Sequence, residues 1–137
     1  MRGAILAAML WAAGPPAVAA PACAAPAGAT VRDRIEGPDV VVLYWTVPAS
    51  IEVGRHFAVE ALVCTGPGGM AVTDVRVDAQ MLEHRHGMNY RPQISAKGDG
   101  RYTAEGLLFH MPGRWQLSFD VDRAGRRDRL ESDIVLE

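Results

Sequence analysis

Imidazole and thioether side chains gather in two short stretches of this sequence. The first is Met81-Leu82-Glu83-His84-Arg85-His86-Gly87-Met88-Asn89-Tyr90, and the second is Phe109-His110-Met111-Pro112-Gly113. Imidazole nitrogen and thioether sulfur suit copper, and the thioether favours the reduced ion. A thioether weakens the case for zinc, which takes thiolate, imidazole and carboxylate. In an extended His84-Arg85-His86 segment both imidazoles point to one side and Arg85 points away. A neighbouring loop then completes the coordination. The candidate metal ligands are His84, His86, Met88 and His110, with Met111 as an addition.

Taken singly, these residues have plainer readings. Met81 continues the inward face of a strand and reads as core. His86-Gly87-Met88 alone is a turn with a packed methionine, and His110-Met111-Pro112-Gly113 alone is a buried corner. His56, beside a strand start, reads as a surface residue. The grouping, with the ligand types, is what points to a metal ion.

Catalytic signatures are missing. No serine or cysteine lies in a nucleophile motif, and no carboxylate pair sits in apolar surroundings that would split its pKa values. No glycine-rich loop follows a strand and opens a helix to cradle phosphate. The chain therefore reads as a carrier and not as an enzyme. Its formal charge of -2 argues against nucleic acid as a partner. The arginines near the C-terminus (Arg123, Arg126, Arg127, Arg129) are mixed with acids and read as a solvated hairpin.

The elements that must hold these ligands are strands. Val40 to Thr46 is β-branched and aromatic, and Pro48 ends it. Phe57, Val59, Ala61 and Val63 alternate with Ala58, Glu60, Leu62 and Cys64. Val75, Val77, Ala79 and Met81 face one way along a third strand, and Asp74, Arg76, Asp78 and Gln80 face the other. The histidine stretch follows as a loop. Gln93 to Lys97 is a short strand, and Gly98-Asp99-Gly100 turns it into Arg101 to Phe109. That fifth strand places Tyr102, Ala104 and Leu108 inward. Trp115, Leu117, Phe119 and Val121 alternate with Arg114, Gln116, Ser118 and Asp120. A last strand carries Leu130, Ile134 and Leu136. About seven short strands without helical periodicity predict an all-β, immunoglobulin-like antiparallel β-sandwich.

Parity then joins fold to chemistry. Successive antiparallel strands run up and down, so alternate connections share an end. The connections after the first, third and fifth strands hold or border His56, His84, His86, Met88, His110 and Met111. All four histidines are therefore expected at one end.

Residues 1–27 read as a signal peptide. Arg2 makes a positive start, Ala4 to Ala13 is an apolar run too short to span a bilayer, and Ala17-Val18-Ala19 and Ala25-Pro26-Ala27 are candidate cleavage sites. Residues 28–39 read as a linker and residues 40–137 as the domain. Export to the periplasm is the expectation. Cys23 pairs with Cys64 only if cleavage falls before Cys23. The plainer reading of Cys64 is a small apolar residue near a strand end. Ala20-Pro21-Ala22-Cys23 is a poor lipidation box, because a large aliphatic side chain usually stands three residues before the cysteine. No lipid anchor at Cys23 is expected.

Met81-x-x-His84-x-His86-Gly87-Met88, Gly98-Asp99-Gly100-x-Tyr102, and Gly106-Leu107 with Met111-Pro112-Gly113-x-Trp115-x-Leu117 occur in that order. In this the sequence resembles the YtkA-like family of exported bacterial domains. The resemblance implies an immunoglobulin-like sandwich similar to that of periplasmic copper carriers. It also implies a link to copper handling or oxidase assembly, and it points to His84, His86 and Met88. Leu82-Glu83 stands where such proteins often have a proline and a small residue. The expected function is a copper-binding carrier that delivers its ion to a membrane or periplasmic protein. The alternative is a metal-free interaction domain for assembly.

Overall fold

The structure, a computed structural model, describes Gly14 and residues 23–137. Those residues contain no helix. They form β1 (Asp33–Gly37), β2 (Val40–Val47), β3 (His56–Thr65), β4 (Val72–Met81), β5 (His86–Gly87), β6 (Gln93–Gly98), β7 (Arg101–Leu108), β8 (Gly113–Arg123) and β9 (Arg126–Leu136). One sheet has the order β1-β2-β3-β7-β6, and the other has β5-β4-β8-β9. All pairings are antiparallel. The two sheets pack as a sandwich, as the alternation of apolar residues requires: each strand has one face that must leave water.

The core is built from the inward rows. Val59, Ala61 and Val63 of β3 meet Val75, Val77 and Ala79 of β4 and Leu117, Phe119 and Val121 of β8. Tyr44 reaches across from β2, and its ring lies 5.3 Å from Phe119. Its hydroxyl shares a hydrogen bond with Ser132 of β9 at 2.9 Å, and the Ser132 hydroxyl donates to Asp33 at 2.6 Å. This chain ties the two sheets together along their β1/β9 side. Burial pushes the Tyr44 phenol up.

Four features differ from the sequence reading. Asp33–Gly37, placed in a linker, is the edge strand β1, paired with β2 from Asp33↔Tyr44 to Gly37↔Val40. Its polar residues hide it in the sequence, and edge pairing does not need an apolar face. Cys64 is not merely a small apolar residue: it forms a disulfide with Cys23 across 41 residues of sequence. Apart from Gly14 and residues 23–27, the residues of the signal-peptide reading lie outside the described ones. In β7 the inward residues are Ala104, Leu107 and then Phe109, and Leu108 is half-buried. A bulge causes this: between the pairs Phe57↔Leu107 and Val59↔Ala104, β7 has one residue more than β3. Gly106, at φ +88, takes up the extra step. Last, Arg123 is buried and not solvated. It continues the inward row of β8 by the same period of two, two residues after Val121.

Two predictions on stability follow from these contacts. Closing a loop of this length removes unfolded-state entropy worth about 2–4 kcal/mol. Reduction of the disulfide, or Cys64→Ser, should lower the unfolding free energy by that amount, read by urea melts with and without reductant. On the outer face of β8 and β9, Arg129 donates to Asp120 at 2.7 Å and Arg127 donates to Asp122 at 2.6 Å. These hydrogen bonds hold both carboxyls below the ordinary range. A carboxyl with a depressed folded pKa stabilises above its unfolded pKa and loses that contribution as pH falls through the folded value. Thermal stability should therefore decline below about pH 4, where an unfolded aspartate begins to bind its proton. Asp120→Asn should flatten that acid limb in a series of melting curves.

Candidate metal centre

The third-connection stretch is a tight hairpin and not an extended loop. β4 ends at Met81, and β5 begins at His86, which pairs with Met81. The four residues between them form the turn. The His84 amide donates to the Met81 carbonyl at 3.2 Å, and the Arg85 amide donates to Leu82 at 3.3 Å. Arg85 takes a left-handed φ of 54° at the tip. His84 and His86 therefore do not meet by strand alternation. The turn brings their rings together instead, stacked at 5.8 Å between centroids. Gly87 pairs with Gln80, and the Met88 amide then donates to Ala79 at 3.2 Å. Met88 is half-buried and packs on the core.

The fifth connection supplies the other half. The β7 bulge turns Phe109 inward, where it stacks on Trp115 at 4.5 Å with the planes 8° apart. His110 follows at the rim. Its ring lies 5.0 Å from that of His86. Trp115, the first inward residue of β8, is fully buried beneath both. It makes T-shaped contacts with His110 and His86, with ring centroids 5.3 and 5.9 Å apart. Its indole N–H donates to the Met111 carbonyl at 3.0 Å, which fixes the turn that carries His110 and Met111.

The structure thus brings His84, His86 and His110 into one row, with His86 in the middle. Met88 follows the hairpin in sequence and Met111 follows His110, and both are half-buried side chains packed on the core. His56 shares the same end but not the row: its ring meets Tyr90 at 5.4 Å. Met81 is buried core, as the strand pattern requires. Among the described residues, no group of three or more His, Cys, Asp or Glu side chains is arranged to hold a metal ion. The histidine row is therefore not a closed coordination shell.

One atom bears directly on whether the residues suit a metal. Nδ1 of His110 is buried and has no hydrogen-bond partner among the described residues. A buried polar nitrogen left unpaired costs about 1–3 kcal/mol. A metal ion would give a lone pair at this end something to bind, and the neighbouring imidazoles and thioethers are the donors copper takes. Sequence reasoning missed Trp115 as the platform for this row. The available signal was its place two residues after Pro112-Gly113, at the start of the best strand pattern in the chain.

The YtkA-like family model matches residues 39–120. The chain belongs to the YtkA-like family. The match runs from the start of β2 into β8, so it spans both histidine stretches and Trp115. No curated protein matches the chain. Among solved structures, a crystal structure of a DUF4426 family protein from Pseudomonas aeruginosa PAO1 is similar. It has a TM-score of 0.47 and 9% identity, over 77% of this chain and 95% of that one.

In this YtkA-like domain Trp115 also offers a readout. A quenching ion held at these imidazoles would dim its emission, because its ring centroid lies 5.3 and 5.9 Å from those of His110 and His86. Trp115→Phe should abolish the quenched component. It should also cost about 1–3 kcal/mol of stability through the lost hydrogen bond and the small cavity. A titration followed by fluorescence checks the first, and thermal melts check the second.

Proposed function

We propose that this protein is an exported, periplasmic copper carrier that binds one ion at the histidine end of the sandwich. His84, His86 and His110 are the imidazole donors, and Met88 and Met111 are the thioether donors. The carrying observation is the row of three imidazoles with rings 5.8 and 5.0 Å apart, ending at the unpartnered Nδ1 of His110. A carrier needs few ligands on accessible connections, so that a receiving protein can take the ion by ligand exchange. His84 is exposed, while His86 and His110 are half-buried, which supports that use. Delivery, and not turnover of a substrate, is the proposed role.

The second reading is a metal-free assembly domain whose histidine end contacts a partner. The lack of a closed group of three His, Cys, Asp or Glu side chains among the described residues favours it. Titration of the purified domain with Cu(I), and separately with Cu(II), against competing chelators decides between the two. Binding near one copper per chain by elemental analysis supports the carrier. Binding no tighter than that of a His84→Ala/His86→Ala variant overturns it.

A further inference from the structure

β2 is buried on both faces, and only one of those faces belongs to the sandwich core. Val40, Val42 and Tyr44 point inward and join the core cluster. Val41, Leu43 and Trp45 point to the outer side of the sheet, outside that cluster, yet they are 1%, 4% and 8% exposed. Register gives the neighbours of this outward row. Val41 lies between Glu36 of β1 and Cys64 of β3, and Leu43 lies between Arg34 and Leu62. The outer face of an antiparallel sheet is ordinarily the solvated one, so an apolar row at this burial needs a cover.

Among the described residues the cover comes from the chain before β1. Cys23 is bonded to Cys64 on one side of the row, and its carbonyl accepts a hydrogen bond from Arg34 at 3.2 Å on the other. The chain at Cys23 therefore crosses over β2. It turns over residues 26–29, where the Ala29 amide donates to the Pro26 carbonyl at 3.1 Å and Gly28 takes a left-handed φ of 86°. It enters the sheet edge at Arg32, whose amide donates to the Tyr44 carbonyl at 2.8 Å. Residues 23–31 thus form a strap. Between Cys23 and Thr30 the strap carries only alanines, Pro26 and Gly28. Its one hydrogen bond to the sheet, among the described residues, is the one from Arg34. Small side chains bury little apolar area, and every ordered residue costs backbone entropy. The disulfide is therefore what keeps the strap down. β2 does not depend on it, because its ladders to β1 and β3 use no residue of the strap. Cys23 and Cys64 are both half-buried, so a small dithiol can reach the bond.

We propose that the Cys23–Cys64 disulfide is a redox latch: reduction by a dithiol frees the strap and uncovers Val41, Leu43 and Trp45, while the sandwich and its histidine end stay folded. One thiolate of the dithiol attacks a sulfur of the bond, forms a mixed disulfide and releases the other cysteine. The second thiolate then attacks the mixed disulfide and releases the first. Cys23 and Cys64 gain two electrons and two protons and become thiols, and the dithiol leaves as a cyclic disulfide. The latch rests on neither copper nor a partner protein.

The test compares the oxidised, isotope-labelled protein with the same sample reduced by dithiothreitol. Both are followed by NMR with a soluble nitroxide, which broadens the signals of groups open to solvent. Reduction should broaden the Val41 and Leu43 methyls and the Trp45 ring, and the Ala29 amide should lose its protection from exchange. Leu117, Phe119 and the His86 ring should keep their shifts. Cys23→Ser should show the same exposed row without reductant, and reoxidation of the reduced parent should cover it again. Val41, Leu43 and Trp45 staying shielded after reduction overturns the proposal, because the strap then holds without its latch. Loss of the Leu117 and Phe119 shifts on reduction overturns it too, since the disulfide then holds the whole fold and not the strap. So does an intact mass that starts the mature chain after Cys23, as cleavage after Ala27 would.

Discussion

On the proposed copper-carrier function, His86→Ala should weaken copper binding by about a hundred-fold or more, beyond the range typical of losing a supporting residue around a metal. The reason is position. His86 is the middle ring of the row, 5.8 Å from His84 and 5.0 Å from His110. Removing it separates the hairpin donors from the donor on the fifth connection, so no pair of imidazoles from different connections is left adjacent. His110→Ala should follow closely, and exposed His84 should matter less. His56→Ala should leave affinity unchanged, because its ring meets Tyr90 and not the row. The fold should survive His86→Ala, since the residue is half-buried on a strand of two residues at the sheet edge. Chelator competition with circular dichroism on the same samples checks both statements. Equal affinity for His86→Ala and the parent would sink the row as the copper site.

Asp128→Ala should destabilise the protein by about 3–5 kcal/mol, because it leaves a buried guanidinium without its counter-charge. Arg123 is 1% exposed and Asp128 8%. The Arg123 Nε–H donates to Asp128 at 3.0 Å, and the two Nη groups donate to the carbonyls of Pro38 and Asp39 at 3.0 and 3.3 Å. These bonds pin the β1–β2 turn to the β8–β9 hairpin, at the end away from the histidines. Burial alone would push the Asp128 carboxyl up, but the hydrogen bonds from Arg123 and Arg126 more than offset it and hold it low. Arg123→Met combined with Asp128→Leu should recover most of the loss, since a well-packed apolar pair needs no desolvated charges. Urea melts of the single and double variants read this directly. Copper affinity should not change in either variant, because the clamp and the histidine row sit at opposite ends.

The sequence by itself determined the sandwich and the end at which its histidines collect. Both rest on a period of two: alternation in β3, β4 and β8 fixes which residues face the core, and strand parity sends alternate connections to one end. His56, His84, His86 and His110 could be placed together with no knowledge of any distance. Arg123 obeyed the same period, yet its charge hid it, because a buried arginine is legible only once Asp128 and the carbonyls that receive it are known. Only the tertiary structure decided three further things. The bulge at Gly106 reversed the faces of β7 after Ala104 and carried Phe109 under the site; a single extra residue leaves no mark on local propensity. The turn at Leu82–Arg85 stacked His84 on His86, although the spacing alone suggested an extended pair. Long-range contact then joined Cys23 to Cys64 and set Trp115 beneath His86 and His110. Such contacts depend on where strands far apart in sequence come to lie, which local pattern does not encode.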